Sequence, residues 1–132
     1  MLDEKARSPE AVLKIAESKC AGFINIHANW AGGFQSGISK AVLAASADIP
    51  TLVGSTYYLG PGTAAYQILS SVLPLEAPCE QVDIGVYGMS GIAEKPYTIS
   101  GGKIFISDKP GVGIELNEEI LEAITIEKMV IK

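Results

Sequence analysis

The chain has 132 residues, 48 % of them apolar and 19 % charged, with 10 basic against 15 acidic groups and a net charge of −5. That length and apolar content suit one compact domain with a core of its own and exclude a highly charged disordered chain. The acidic balance argues against nucleic acid or an anionic membrane surface as partner, and the longest largely apolar run, Ala41–Ala47, falls far short of the ~20 residues that cross a bilayer.

Strand-like and helix-like segments then alternate along the chain. The opening MLDEKARSPE is charged and shows no signal-peptide pattern. Ser8-Pro9-Glu10 reads as a helix start: Ser caps, Pro has no N–H to lose in the first turn, and Glu suits the positive end of the helix dipole. Val12, Ile15 and Ala16 give that helix one apolar face. Phe23-Ile24-Asn25-Ile26 is a short β-rich run that ends at His27, followed by a glycine bend at Ala31-Gly32-Gly33. Ile38, Ala41, Val42 and Ala45 recur at amphipathic-helix spacing, and Asp48-Ile49-Pro50 stops that helix. Thr51-Leu52-Val53 is a second apolar strand. The turn Gly60-Pro61-Gly62 precedes a helix with Ala65, Ile68, Leu69 and Val72 on one face, closed by Pro74. Cys20 and Cys79 are too few for a disulfide scaffold and are expected to be reduced and buried.

Strand starts at Phe23, Thr51 and Val82 are 28 and 31 residues apart, close to one βα unit of a (β/α) barrel. Strands this apolar, joined by helices, indicate a parallel sheet. From Tyr97 the character changes. Tyr97–Ser100 and Lys103–Ile106 around Gly101-Gly102 predict a β-hairpin, Asp108–Gly113 a loop, and Asn117 the cap of a short helix led by Glu118 and Glu119. Thr125–Lys132 is β-branched and is expected to form a last strand. The expectation is one α/β domain over 1–132, with βα units over 1–96 and the hairpin, short helix and terminal strand over 97–132.

Three stretches resemble the C-terminal part of the enolase superfamily, in the mandelate racemase and muconate lactonizing enzyme family. Asp3-Glu4 ahead of a Ser-initiated helix is similar to the acidic pair at the end of the fifth barrel strand. Asn25-Ile26-His27-Ala28-Asn29-Trp30-Ala31-Gly32-Gly33 resembles the family's Asn-Ile-Lys-x-x-Lys-x-Gly-Gly on the sixth strand. Gly54-Ser55 through Gly62-Thr63-Ala64-Ala65 resembles the seventh strand and its turn; Phe105 to Leu116 adds a further match to the closing segment, with Pro110-Gly111-Val112-Gly113 where the family commonly has Pro-Gly-Leu-Gly. The resemblance implies the C-terminal portion, about half, of a TIM-type (β/α) barrel with a small β-hairpin elaboration. It also implies magnesium as cofactor and proton abstraction α to a carboxylate.

The resemblance assigns Asp3 as a magnesium ligand and His27 to the place of the family's catalytic Lys, with Trp30 in the place of the second Lys. Tyr58 falls where many relatives have Glu, and Asp83, with Gly85 after it, where dipeptide epimerases have Asp-x-Asp. Asn25, Tyr58 and Asp83 are therefore the substrate-binding candidates. The other two metal carboxylates and the Lys-x-Lys of the family belong to earlier strands. Each candidate also has a plainer reading. His27, the only histidine, sits on the same strand face as Phe23 and Asn25 and is either an acid–base group or a hydrogen-bonded structural residue beside Trp30. Asp3 and Glu4 are either cation ligands or a solvated acidic pair. Tyr57 and Tyr58 either line a pocket or seal a strand end. Gly60-Pro61-Gly62 offers backbone N–H groups to an anion but lacks the ending of a P-loop.

The expected function is thus part of a magnesium-dependent isomerase or epimerase acting on a small carboxylate, inactive alone, or alternatively a non-catalytic scaffold derived from that fold. A partial barrel exposes strand edges, so a homo-oligomer or a separate chain carrying the N-terminal half is the expected partner, in the cytoplasm.

Overall fold

Residues 1–27, 29–30, 32–55, 58–80, 91–93 and 97–131 are described in a computed structural model. They fall into two compact units, Met1–Tyr57 with Ala65–Val82, and Tyr58–Ala64 with Asp83–Lys132.

In the first unit the Ser8 hydroxyl accepts a hydrogen bond from the Ala11 N–H at 3.2 Å, capping helix α1 (Pro9–Ser18), whose Val12 and Ile15 are buried. Lys19 ends the helix in the left-handed region at φ 50° and turns the chain toward strand β1 (Ile24–Ile26). Helix α2 (Phe34–Ser46) leads from β1 to strand β2 (Thr51–Val53), which pairs with β1 in parallel, Ile24 opposite Thr51 and Ile26 opposite Val53. Leu2 adds a short parallel bridge on the other side of β1: its N–H donates to the Phe23 carbonyl and its carbonyl accepts from the Asn25 N–H, both at 2.8 Å. The sheet order is therefore Leu2, β1, β2, each returning to the same direction through a helix. All of β1 is buried, as a strand covered on both faces must be. The core joins Ala6, Val12, Ile15, Ile24, Ile26, Ala41, Ala44 and Ile49.

Beyond β2, helix α3 (Gly60–Val72) leads into a segment that lies beside β2, on the side away from β1. The Glu76 and Glu80 N–H groups donate to the Thr51 and Val53 carbonyls at 3.1 and 3.3 Å. The Tyr66 hydroxyl of α3 ties the same places together by bonding the Val53 and Glu80 carbonyls.

Four expectations are corrected in this part of the chain. The buried stripe of α2 is Gly37, Lys40, Ala41 and Ala44 rather than Ile38, Ala41, Val42 and Ala45, and Val42 is half exposed. Gly37 explains the rotation: a Cβ there would lie 3.2 Å from Leu69 Cδ2, so the helix is turned to bring its glycine against α3. In α3 the buried positions include Thr63, Ala64, Tyr66, Gln67 and Leu69, while Val72 is exposed, because seating the Tyr66 hydroxyl on β2 fixes which face turns inward. Gly60-Pro61-Gly62 forms the first turn of α3 rather than a turn ahead of it, a place where a proline loses no helical hydrogen bond. The cysteines are free, but Cys20 is exposed just past α1 and Cys79 is half-buried.

In the second unit, strands β3 (Tyr97–Ser100) and β4 (Lys103–Ile106) form the expected antiparallel hairpin, Tyr97 opposite Ile106 and Ser100 opposite Lys103. Gly101 and Gly102 have φ of 56° and 72°, the two left-handed residues that a type I′ turn requires. Asn117 caps helix α4 (Glu118–Ile124), its side chain accepting from the Ile120 N–H at 3.2 Å. The last-strand expectation fails over Thr125–Ile131: these residues form no strand and are exposed, Ile126 completely, since no ladder partner lies beside them among the described residues. The expected strand at Val82 lies outside the described residues.

Candidate functional site

Three of the sequence candidates come together at the carboxyl ends of the parallel strands. Asp3 follows Leu2, His27 follows β1, and Gly54 follows β2, its N–H bonded to the Ile26 carbonyl at 3.1 Å. Asn25 and His27 share one face of β1, two residues apart, and each is 4 % exposed. His27 Nε2 lies 3.1 Å from Asp3 Oδ1, and Asn25 Nδ2 donates toward Asp3 Oδ2 at 3.5 Å. The Asp3 side chain is one-third exposed, so the imidazole is the inner member of the pair.

Trp30 stacks on the imidazole, with ring centroids 4.4 Å apart and planes inclined by 28°. The Arg7 guanidinium lies over Trp30, 5.2 Å from the ring centre, adding a cation–π contact on the outside of the stack. On the inside, Gly54 presses against the cluster. A Cβ at that position would overlap the Asn25 carboxamide and lie 2.6 Å from His27 Nε2. The site is thus packed from both sides. Its hydrogen bonding is nonetheless incomplete: Asp3 Oδ1, Asn25 Oδ1 and both imidazole nitrogens are buried without a well-directed hydrogen bond, although Nε2 and Oδ1 are at ion-pair distance. Buried polar atoms left in that condition are costly, which marks this spot as more than filler.

A fourth group was missed by the sequence reading. Lys40 of α2 is 1 % exposed, and its Nζ donates to the Ala6 carbonyl at 2.9 Å. Burial pulls its ammonium down from the ordinary 10.5 to about 8, with the Asp3 carboxylate acting in the opposite direction. The available signal was a lysine inside a regular stripe of small residues, Gly37, Lys40, Ala41 and Ala44, which is where a helix meets its neighbours.

Tyr58 belongs to the second unit, where its side chain packs against Gly62 and its carbonyl accepts from the Thr63 hydroxyl at 3.0 Å. Asp83, Gly85 and Tyr57 lie outside the described residues.

Magnesium takes six oxygens in near-octahedral geometry. Among the described residues no three His, Cys, Asp or Glu side chains converge on a point that could hold a metal ion. Asp3 offers a single carboxylate beside an imidazole. The described residues do not fit a magnesium site by themselves.

Successive parallel strands linked by helices, with polar side chains collected at the carboxyl tips, define the C-terminal portion of a TIM-type (β/α) barrel. The family model described as enolase C-terminal domain-like matches residues 1–120, and the chain belongs to that family. It is 27 % identical over 132 residues to muconate cycloisomerase 1 of Rhodococcus opacus, which covers 95 % of this chain and 34 % of that relative. An enolase-superfamily structure from Listeria innocua superposes with a TM-score of 0.84 at 21 % identity, over 92 % of this chain and 33 % of that one. The muconate lactonizing enzyme of Pseudomonas putida gives 0.79 at 23 %, over 92 % and 34 %. The N-succinyl Arg/Lys racemase of Bacillus cereus gives 0.79 at 24 %, over 95 % and 33 %. The chain therefore spans about a third of the length of the relatives it matches.

Proposed function

We propose that this chain supplies the C-terminal share of an isomerase-type barrel that moves a proton α to a carboxylate, and that it has no turnover by itself. The observation that carries the reading is the His27–Asp3 pair, 3.1 Å apart at the carboxyl tips of the strands, where barrels of this kind place their chemistry. In it the imidazole is the acid–base group, the Asp3 carboxylate lies 3.1 Å from its Nε2, and the Asn25 amide holds the second oxygen of Asp3. Trp30 covers the ring and limits its access to water.

Support for inactivity of the chain alone comes from the same geometry. The imidazole is nearly closed to solvent, and a single carboxylate does not assemble the magnesium site that the family implies. The rest of the barrel is supplied by other residues of a longer polypeptide, by a separate chain, or by a second copy, and the ligand is a small carboxylate. The second reading, a non-catalytic scaffold, draws on Lys40, which is buried and bonds the Ala6 carbonyl as an internal packing residue would.

The test is exchange of the α-proton of N-acylated amino acids with deuterated water, followed by NMR. The chain alone is expected to show none above buffer. Combined with the earlier barrel strands of the Rhodococcus relative, it is expected to show exchange that His27→Ala abolishes. Turnover by the chain alone would overturn the claim of inactivity, and a folded assembly without His27-dependent exchange would leave the scaffold reading.

A further inference from the structure

We propose that Arg7 is the residue that recognises the ligand's carboxylate, taking it on the free edge of a guanidinium whose face is already held against Trp30. The inference rests on the reading of the His27 end of β1 as the site for a small carboxylate, and it adds the side chain that selects for the negative charge.

Arg7, Trp30 and His27 are the only arginine, the only tryptophan and the only histidine of the chain, and they stand in one column. The imidazole and indole are 4.4 Å apart, and the guanidinium lies 5.2 Å from the indole centre. His27 at the inner end is 4 % exposed, whereas Arg7 at the outer end is open to solvent. A guanidinium meets an aromatic ring through its flat face and a carboxylate through its edge, so the two contacts do not compete. Here the face is used and the edge is free: among the described residues no carboxylate lies within ion-pair distance of Arg7. Asp3, on the same loop, is turned to His27 Nε2 and the Asn25 amide instead. In a chain with 15 acidic against 10 basic groups, the lone arginine is thus held in place with its donors unused. Stacking has also removed much of the rotamer freedom that a long side chain loses on binding, so an incoming carboxylate meets a donor fork already oriented. A second observation points to a ligand independently. Asn25 Oδ1 and His27 Nδ1 are buried without a hydrogen-bond partner, in side chains more than nine-tenths enclosed. The column therefore runs from a free cation at the surface to unsatisfied polar atoms within. That pattern suits a ligand with a carboxylate at one end and hydrogen-bonding groups beside it, as in an N-acylated amino acid.

Phenylglyoxal modifies arginine, and with Arg7 the sole arginine its rate, followed by mass spectrometry, reports on one guanidinium edge. The full chain is treated in the presence of N-acetylglycine, of N-acetylglycinamide, which replaces the carboxylate by a neutral amide, or of sodium chloride at equal ionic strength. Trp30 emission is recorded alongside. N-acetylglycine is expected to slow the modification saturably and to change the emission, at concentrations about tenfold lower than the amide requires. Arg7→Gln is expected to abolish the emission response, and Arg7→Lys, which keeps the charge but not the planar fork, to retain part of it. Equal protection by acid and amide, protection by chloride as strong as by the acid, or an emission response that persists in Arg7→Gln would overturn the assignment. Should Arg7→Gln fail to fold, the protection measured on the unaltered chain decides in the same way. None of these readouts needs turnover. A folded assembly that binds the acid through Arg7 but never exchanges α-protons would sink the proposed function and leave the carboxylate site. Exchange whose KM is the same in Arg7→Gln would sink the site and leave the function.

Discussion

Replacing Gly54 by alanine is the sharpest test of how tightly the cluster is built. Gly54 ends β2 and is held to β1 by its bond to the Ile26 carbonyl, so the backbone is not free to retreat. An added methyl would overlap both terminal atoms of the Asn25 carboxamide and lie 2.6 Å from His27 Nε2. One of those side chains must move, and both are 4 % exposed. If Asn25 yields, the 3.5 Å hold on Asp3 Oδ2 is lost. If His27 yields, it is driven against Trp30, already stacked at 4.4 Å. Overpacking of this kind costs about 1–3 kcal/mol. With a urea m-value of ~2 kcal/mol/M, the unfolding midpoint should fall by roughly 0.5–1.5 M. The assay is urea unfolding followed by the emission of the single tryptophan, with Gly22→Ala as the control. A Cβ at Gly22 meets nothing within 4 Å, and its backbone is not left-handed. That variant should be neutral or more stable by ~0.4–1 kcal/mol, through loss of freedom in the unfolded chain. Equal midpoints for the two variants would refute the claim that the cluster leaves no room beside β2.

Two further outcomes follow from single contacts. Ser8→Ala removes the hydroxyl that accepts from the Ala11 N–H and should lower stability by ~1 kcal/mol in the same urea assay. Between pH 8 and 10.5 the unfolded chain carries a proton on Lys40 that the folded chain has given up, so unfolding takes up a proton and stability should rise with pH across that window. The slope is read as the difference between wild type and Lys40→Met, which cancels the tyrosines and cysteines that titrate nearby.

Local signals were legible wherever a residue acts on its own backbone. Ser8 and Asn117 cap helices because their side chains reach an N–H three residues on, and Gly101-Gly102 turns a hairpin because both residues must be left-handed. The Asp3, Asn25 and His27 cluster was legible through motif order and strand alternation. What failed was rotation of helices about their axes. For α2 the hydrophobic spacing favoured Val42 and Ala45, but close approach at Gly37 decided the orientation and carried Lys40 inward. For α3 one hydroxyl on Tyr66, reaching the end of β2, outweighed Val72. Hydropathy counts how much each face would like to be buried, whereas a glycine contact or a buried hydroxyl fixes which face can be. The expected last strand failed for a related reason. β-branched residues from Thr125 onward prefer extended backbone, but a strand needs a ladder partner, and Ile126 stands wholly in solvent.

On the side of β2 away from β1, among the described residues, Glu76 and Glu80 donate to the Thr51 and Val53 carbonyls and Tyr66 bonds that segment in place. On the other side of β1, among the described residues, Leu2 extends the sheet, with both its N–H and its carbonyl committed to β1. In a parallel strand the groups that face the next strand come from the alternate residues, here Met1 and Asp3. The Asp3 carbonyl is already taken by the Ala6 N–H in the turn that Lys40 grips. So the loop that fixes Asp3 for the site also shortens the ladder by which a neighbouring strand would join it. Any strand docking beside Leu2 would arrive next to Asp3, where the site still has buried polar atoms to satisfy.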